Sequence, residues 1–230
     1  MLSRIAVIFF TVLSFTLPLL FTGCAGTTHT ETLSKDDISD TLKELYDADT
    51  LLKKADRFFK EKDYLSAIQE YRRFLELHPI NKSAPYVQCR IGLSYFKQIR
   101  SVDRDIEPVQ KALSAFETLV KVYPGSEYLN DSNERIKICR GKLAEREFYI
   151  GNFYLRKEEY QAAIVRFNNI LTDYRDTDVV EKTTYHLGVA YSSSGKADKA
   201  IEVLQNLIAS YPESRYKKGA SQLLAKLNEH

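Results

Sequence analysis

The sequence predicts an all-α solenoid, in which pairs of antiparallel helices stack one after another. Three segments, 55–79, 151–175 and 188–212, share one pattern of residue sizes. Each begins with a small residue, has a second small residue 12 positions later, and has a large residue four positions after that. Small residues let two helices approach closely, and the large residue fills the space between them. A repeat of this length is typical of stacked helical hairpins.

This pattern resembles the tetratricopeptide repeat, in which a proline ends the second helix of each pair. The small residues are Ala55 and Ala67, Gly151 and Ala163, and Gly188 and Ala200, and the large ones are Tyr71, Phe167 and Leu204. Pro79 and Pro212 close two of the segments, whereas Arg175 closes the third. A fourth copy is split, because Ala112 follows Gly92 after 20 positions instead of 12.

The eight extra residues of the split copy fall within KQIRSVDRDIEPVQKA, residues 97–112, and predict a lengthened loop inside one repeat. Asp105 followed by Pro108 is typical of a helix start. Residues 128–157 contain no proline and keep helical spacing, which predicts one long bridging helix. The final KKGASQLLAKLNEH predicts a capping helix. The expected architecture is about four helix pairs, one bridging helix and one capping helix.

The N-terminus predicts a lipoprotein signal peptide over residues 1–23. Arg4 precedes an apolar run, and LFTGC resembles a lipobox with Cys24 as the first mature residue. Acyl chains on Cys24 would anchor the protein to a membrane without spanning it. By the sorting rule of lipoproteins, Ala25 implies the outer membrane. Ordinary secretion with Cys24 unmodified is the alternative.

Residues 24–47 are polar and poorly patterned, which predicts a flexible tether before a repeat domain at 48–230. Removal of the signal peptide leaves 32 basic against 31 acidic side chains, because Arg4 is its one charged residue. A net charge so close to zero gives no reason to expect nucleic-acid binding.

The sequence contains no pattern typical of an enzyme. The histidines at positions 29, 78, 186 and 230 lie in unrelated contexts, and no glycine-rich phosphate loop occurs. We therefore expect no catalytic residues, no metal and no cofactor apart from the lipid on Cys24. Cys89 and Cys139 are expected to be buried thiols, with a disulfide as the alternative.

Taken in chain order, the motifs resemble the family of outer-membrane protein assembly factors called BamD. They are the lipobox, the repeats, IGLSYFKQIRSVDRD, KALSAFETLVKVYPGSEY and a long helix with LAEREFYIGNFYLRKEEYQAAIVRF. The resemblance runs from about Leu52 to Lys218, and the VDRD insertion is its most specific part. Many family members carry five repeats, whereas this sequence shows four and a capping helix.

The resemblance implies a non-enzymatic scaffold and recognition subunit of the β-barrel assembly machinery. It would be lipid-anchored at the periplasmic face of the outer membrane of a Gram-negative bacterium. Implied partners are a POTRA domain of the barrel protein BamA, other lipoproteins of the machinery, and C-terminal segments of outer-membrane protein precursors. Another envelope repeat lipoprotein, either a cell-wall-synthesis coordinator or a pilus-assembly pilotin, is the alternative.

The repeat register and the resemblance together give candidate site residues. A peptide-binding groove on the concave side is expected at Phe59, Tyr86, Arg90, Phe96 and Lys97, unless Phe59 and Phe96 merely pack. Partner binding is expected at Asp103, Arg104 and Asp105 in the insertion, and at Arg166. Arg166 precedes the buried Phe167 by one residue, so it should point about 100° away from the packing face.

Overall fold

The computed structural model describes residues 35–100 and 105–229, and these residues form ten α-helices with no strand. In chain order the helices are α1 (Lys35–Tyr46), α2 (Ala48–Lys60), α3 (Tyr64–Leu77), α4 (Ala84–Phe96), α5 (Glu107–Val122), α6 (Leu129–Arg156), α7 (Tyr160–Asp173), α8 (Val179–Ser193), α9 (Ala197–Ser210) and α10 (Lys217–Asn228). The predicted all-α class is confirmed.

Helices α2 to α9 form four antiparallel pairs, α2/α3, α4/α5, α6/α7 and α8/α9, and each pair packs on the next. Helix α10 packs on α9 and α8 and closes the stack. The first helices α6 and α8 of successive pairs also meet, and α8 contacts α10. These first helices therefore share one side of the solenoid. This arrangement confirms the predicted four helix pairs and capping helix.

Each pair is held together by the contact between small and large residues that the repeat pattern predicts. In three pairs, a Cβ added to the glycine of the first helix would lie within 3 Å of the large side chain. The contacts are Gly92 to Phe116, Gly151 to Phe167 and Gly188 to Leu204, at 2.6, 2.6 and 2.5 Å. In the first pair Ala55 and Tyr71 take the same positions, and both are fully buried. Side chains larger than these small residues would force the two helices apart.

Helix ends follow local sequence signals. The Asp47 carboxylate accepts a hydrogen bond from the Thr50 N–H at 2.9 Å, which caps the start of α2. Prolines follow two residues after the ends of α3, α5 and α9, at Pro79, Pro124 and Pro212. Proline cannot continue a helix, so second helices end where the repeat pattern predicts.

Helix α6 connects the two halves of the solenoid. It spans 28 residues, close to the predicted range of 128–157. Cys139 and Leu143 belong to the core shared with the first two pairs, whereas Ala144 begins the core shared with α7 and α8. One continuous helix thus serves both cores, which supports its predicted bridging position.

The tether predicted for residues 24–47 differs from the structure, because α1 occupies Lys35–Tyr46 and packs on α2. Its apolar side chains Ile38, Leu42 and Tyr46 recur every four residues and remain 46 to 49% exposed. The prediction missed this helix because polar residues dominate the segment and conceal the spacing. Residues 24–34 lie outside the described part of the chain.

Turns inside the pairs require backbone that side chains seldom adopt. Lys62 and Glu158 have φ of 64° and 62°, and Gly195 occupies the corresponding turn with φ of 74°. The second pair has the predicted longer loop, since α4 ends at Phe96 and α5 begins at Glu107. The extra residues of the sequence therefore lie within a repeat, as predicted.

Both described cysteines are free and buried, as predicted. Burial raises the pKa of the Cys89 and Cys139 thiols to about 11. Both therefore stay protonated at neutral pH and act as small apolar side chains.

Candidate functional site

A polar cluster centred on the Asp56 carboxylate lies where α2, α3 and α4 meet. Its Oδ1 accepts hydrogen bonds from the hydroxyls of Tyr71 at 2.5 Å and Tyr86 at 2.8 Å. Arg90 Nε donates to the Tyr71 oxygen at 3.1 Å and lies 3.6 Å from the same Asp56 oxygen. One carboxylate therefore joins three helices through two tyrosines and an arginine. We call these residues, together with Phe59, the Asp56 cluster.

The guanidinium of Arg90 is also held by aromatic rings. Its Cζ lies 3.5 Å from the centre of the Phe59 ring and 5.5 Å from that of Tyr86. A cation over an aromatic face is attracted by the ring quadrupole. The Arg90 side chain keeps 19% of its surface exposed. The cluster thus presents a fixed, partly exposed positive charge beside aromatic surface.

The tyrosines of the cluster act as hydrogen-bond donors over the whole physiological pH range. Burial, followed by the bond to Asp56, raises the pKa of Tyr86 to about 12. The same two causes raise the pKa of the Tyr71 hydroxyl even further. Both hydroxyls therefore stay protonated and keep donating to the Asp56 carboxylate.

Of the five predicted groove residues, the structure brings together Phe59, Tyr86 and Arg90. Phe96 lies elsewhere, because six residues along α4 place it about 120° around the helix from Arg90. It packs edge-on against Phe116, with ring centres 6.4 Å apart. Its position favours the alternative that it merely packs.

Lys97 is exposed at the end of α4, about 10 Å along the helix axis from Arg90. It lines a separate recess beside Arg100 and Asp105 at the start and end of the inserted loop. The predicted groove is therefore divided, and the Asp56 cluster is its compact part.

Sequence reasoning missed Asp56 and the polar role of Tyr71. Tyr71 was assigned to the large packing position, where it is indeed fully buried. A buried tyrosine hydroxyl needs a hydrogen-bond partner, so this position gave a signal for a polar group nearby. Asp56, directly after the small Ala55 on the facing helix, supplies that partner.

Arg166 on α7 pairs within the chain. Its Nη1 lies 3.0 Å from Glu147 Oε2 on α6, and the arginine side chain remains 39% exposed. The neighbouring Phe167 is fully buried, as the repeat register predicts. Arg166 therefore lies at the edge of the α6/α7 interface with part of its guanidinium on the surface.

Three of the predicted site residues lie outside the described residues, namely Cys24, Asp103 and Arg104. Asp105 is described, and its carboxylate accepts a hydrogen bond from the Glu107 N–H at 3.0 Å. Asp105 thus supports the start of α5 as predicted, although it stands one residue before the capping position at Ile106.

Neither a metal site nor a membrane span is found in the described ranges. Residues 35–100 and 105–229 contain no group of three or more histidine, cysteine or acidic side chains that could hold a metal ion. Across the same ranges, every helix is too short or too polar to cross a bilayer.

Stacked helix pairs with a cation–aromatic cluster where three helices meet define a helical-repeat protein suited to binding other polypeptides. The sequence profile of the YfiO family, described as outer membrane lipoprotein, matches residues 42–200. The chain belongs to this family. Membership of this family confirms the expectation of a non-enzymatic protein.

Relatives that bear the name outer membrane protein assembly factor BamD include those of three organisms. That of Caulobacter vibrioides is 32% identical over 161 residues, which cover 70% of this chain and 53% of the relative. Those of Rickettsia prowazekii and Vibrio cholerae are 30% and 31% identical, covering 75% and 67% of this chain and 69% and 68% of the relatives. The chain therefore spans about half the length of the Caulobacter protein. The crystal structure of MamA protein aligns with 79% of this chain and 81% of its own at 21% identity, with a TM-score of only 0.32.

Proposed function

We propose that this chain is a non-enzymatic scaffold and recognition subunit of the outer-membrane β-barrel assembly machinery. The observation that carries the proposal is the family match over residues 42–200, which includes the Asp56 cluster and Arg166. Relatives from three organisms named as assembly factors support it. Acylation of Cys24 would hold the solenoid at the periplasmic face of the outer membrane, within reach of emerging precursors.

The Asp56 cluster would bind the C-terminal segment of a barrel precursor, which ends in an aromatic residue and a carboxylate. Arg90 uses Nε for Tyr71, and the hydrogen bonds of the described residues do not engage its two terminal nitrogens. A terminal carboxylate could accept from these nitrogens in a charge-assisted pair. The aromatic side chain of the precursor would pack beside Phe59 and Tyr86.

Calorimetry with two peptides tests this recognition. The peptides share ten residues ending in phenylalanine, and one ends in a free carboxylate whereas the other is amidated. We expect the full chain to bind the carboxylate form about tenfold more tightly, the range of one charge-assisted bond. Arg90→Gln should abolish the difference. Arg72→Gln is the matched control, because Arg72 also donates to a tyrosine hydroxyl, that of Tyr95 at 3.1 Å, outside the cluster.

Equal binding of the two peptides by the unaltered chain would rule out the carboxylate contact. Loss of the difference in both arginine variants would also rule it out, because a general effect on the fold would then explain the result.

Arg166 would contact a POTRA domain of BamA. Its guanidinium is partly exposed and bound on one side by Glu147, so it is held in place for a second carboxylate. An arginine whose guanidinium is held in one orientation can form a bidentate pair with a carboxylate across an interface. The family resemblance implies that this half of the solenoid would contact BamA, which supports the proposal.

Co-purification after gentle detergent extraction of outer membranes tests the contact. Arg166→Gln should lose BamA, whereas Glu147→Gln should retain it, because the control breaks the same internal pair and keeps the guanidinium. Retention of BamA by Arg166→Gln would exclude Arg166 from the interface. Loss of BamA by both variants would show that the Arg166–Glu147 pair stabilises the fold and does not contact the partner.

A further inference from the structure

A second recess lies on the side of the solenoid lined by first helices, between α6 and the start of α8. Its volume is about 610 Å³. It is separate from the Asp56 cluster, which is built from α2, α3 and α4. The proposed contacts of Arg90 and Arg166 do not use this recess. We call it the α6 groove.

Two apolar side chains on α6 stand in the groove, and both are unusually exposed. Ile138 is 40% exposed and Tyr149 is 61% exposed. They are 11 residues apart, or about three helical turns, so they lie on one face about 16 Å apart. Gly141 lies between them, and no atom stands within 4 Å of where its Cβ would be. The groove is thus an open trough with an apolar residue at each end.

Basic side chains on the same stretch of α6 lack close acidic partners. Among ion pairs of the described residues, Lys137 and Lys142 form none. Arg146 lies 3.8 Å from Glu147, a longer contact than the 3.0 Å between Arg166 and that carboxylate. Three positive charges therefore border the trough without a strong internal counter-charge.

The acidic side chains around the groove are largely neutralised. Asp176 binds Arg140 at 2.6 Å, and Glu145 binds Lys182 at 2.6 Å. Asp178 is the remaining acid of the lining, and it forms no ion pair among the described residues. Since two lysines without an ion pair and the weakly paired Arg146 face one acid without an ion pair, the rim of the groove is net positive.

We propose that the α6 groove binds an acidic segment of a partner protein that carries at least one large apolar side chain. Two apolar residues in a recess with basic groups on the rim match an amphipathic peptide with acidic flanks. The apolar side chain would pack over Gly141, between Ile138 and Tyr149. A lipid surface fits less well, because these apolar residues belong to the lining of a recess.

Fluorescence anisotropy on the purified full chain in mild detergent tests the inference directly. The probe is a labelled peptide of sequence EELFEDLLEE, and its controls are KKLFKKLLKK and EESSEDSSEE. We expect the acidic amphipathic probe to bind more tightly than either control. Reversing two charges, Lys142→Glu with Arg146→Glu, should weaken binding about tenfold. Tyr149→Ser should have a similar effect, as loss of an aromatic anchor does.

The matched control is Lys121→Glu with Val122→Ser, which changes an exposed cation and an exposed apolar residue on α5. It should leave binding unchanged. Equal binding of acidic and basic probes, or unaltered binding by the groove variants, would overturn the inference. Equally strong displacement of the probe by short-chain phosphatidylglycerol would also overturn it, since the groove would then recognise a lipid headgroup. This anisotropy measurement is independent of the calorimetry at Arg90. The α6 groove proposal can therefore fail while the proposed binding of precursor C-termini stands, and the reverse is also possible.

Discussion

Tyr71→Phe removes one oxygen atom from the centre of the Asp56 cluster and leaves the packing volume nearly unchanged. The lost hydroxyl donates to the Asp56 carboxylate at 2.5 Å and accepts from Arg90 at 3.1 Å. A hydrogen bond to a charged group contributes about 1.5–3 kcal/mol. Asp56 keeps the bond from Tyr86, and partly exposed Arg90 can recruit water. We therefore expect a loss near the middle of that range, about 2 kcal/mol.

Hydrogen exchange of backbone amides in α2, α3 and α4 measures this loss best, because repeat arrays open in segments. A loss of about 2 kcal/mol corresponds to exchange roughly 30-fold faster in these helices. Tyr191→Phe is the matched control, since that hydroxyl has only a neutral partner, Asn168, at 3.4 Å. Tyr191→Phe should lower the free energy of unfolding by less than about 1 kcal/mol.

A double-mutant cycle of Tyr71→Phe with Asp56→Asn separates the bond from general packing. We expect a coupling of about 1–2 kcal/mol between the two positions. Coupling below about 0.3 kcal/mol, the usual scatter for independent sites, would show that the Asp56 carboxylate does not organise this junction.

Three further predictions concern packing, backbone strain and pH. Gly188→Val should cost about 1–3 kcal/mol, because even a Cβ would lie 2.5 Å from a buried leucine of α9. Gly141→Ala, with open space around it, should instead raise the free energy of unfolding by about 0.5–1 kcal/mol. Similar shifts of the melting temperature of the two glycine variants, measured by circular dichroism, would contradict the close packing of Gly188 on α9. Lys62→Gly should raise the free energy of unfolding by about 0.5 kcal/mol in urea titrations, because φ of 64° strains a residue with a side chain. A decrease in the free energy of unfolding would argue against that strain. Burial lowers the pKa of His186, so the unfolded chain binds its proton more readily than the folded one. Stability should therefore be full above pH ~6.5 and fall as the pH drops below it. His186→Gln should flatten this dependence and His78→Gln should keep it, and identical profiles for all three proteins would disprove the assignment.

The helix pairs and their order could be predicted because the information is local. A small residue and a large one at fixed spacing already define which faces of two adjacent helices meet, as Gly151 and Phe167 do. The inserted loop was predictable for the same reason, since it changes that spacing. Helix α1 was missed because its few apolar residues, among them Ile38, Leu42 and Tyr46, are scattered among polar ones.

The candidate site was only partly predictable because it depends on how three helices meet. The sequence pointed to Phe59, Tyr86 and Arg90, and the structure gathers them around Asp56. Spacing on one helix does not reveal that a carboxylate on α2 faces a tyrosine on α3. The pairing of Arg166 with a residue of α6, 19 positions earlier, likewise depends on the packed structure.

Folding of a barrel precursor in proteoliposomes measures the proposed role of the chain in outer-membrane protein assembly. Vesicles would contain BamA with the full chain, BamA with the Arg166→Gln variant, or BamA alone, and protease protection would report the folded barrel. We predict faster folding when the full chain is present, and a rate close to that of BamA alone with the variant. The same rate with and without the full chain would contradict a role in outer-membrane protein assembly.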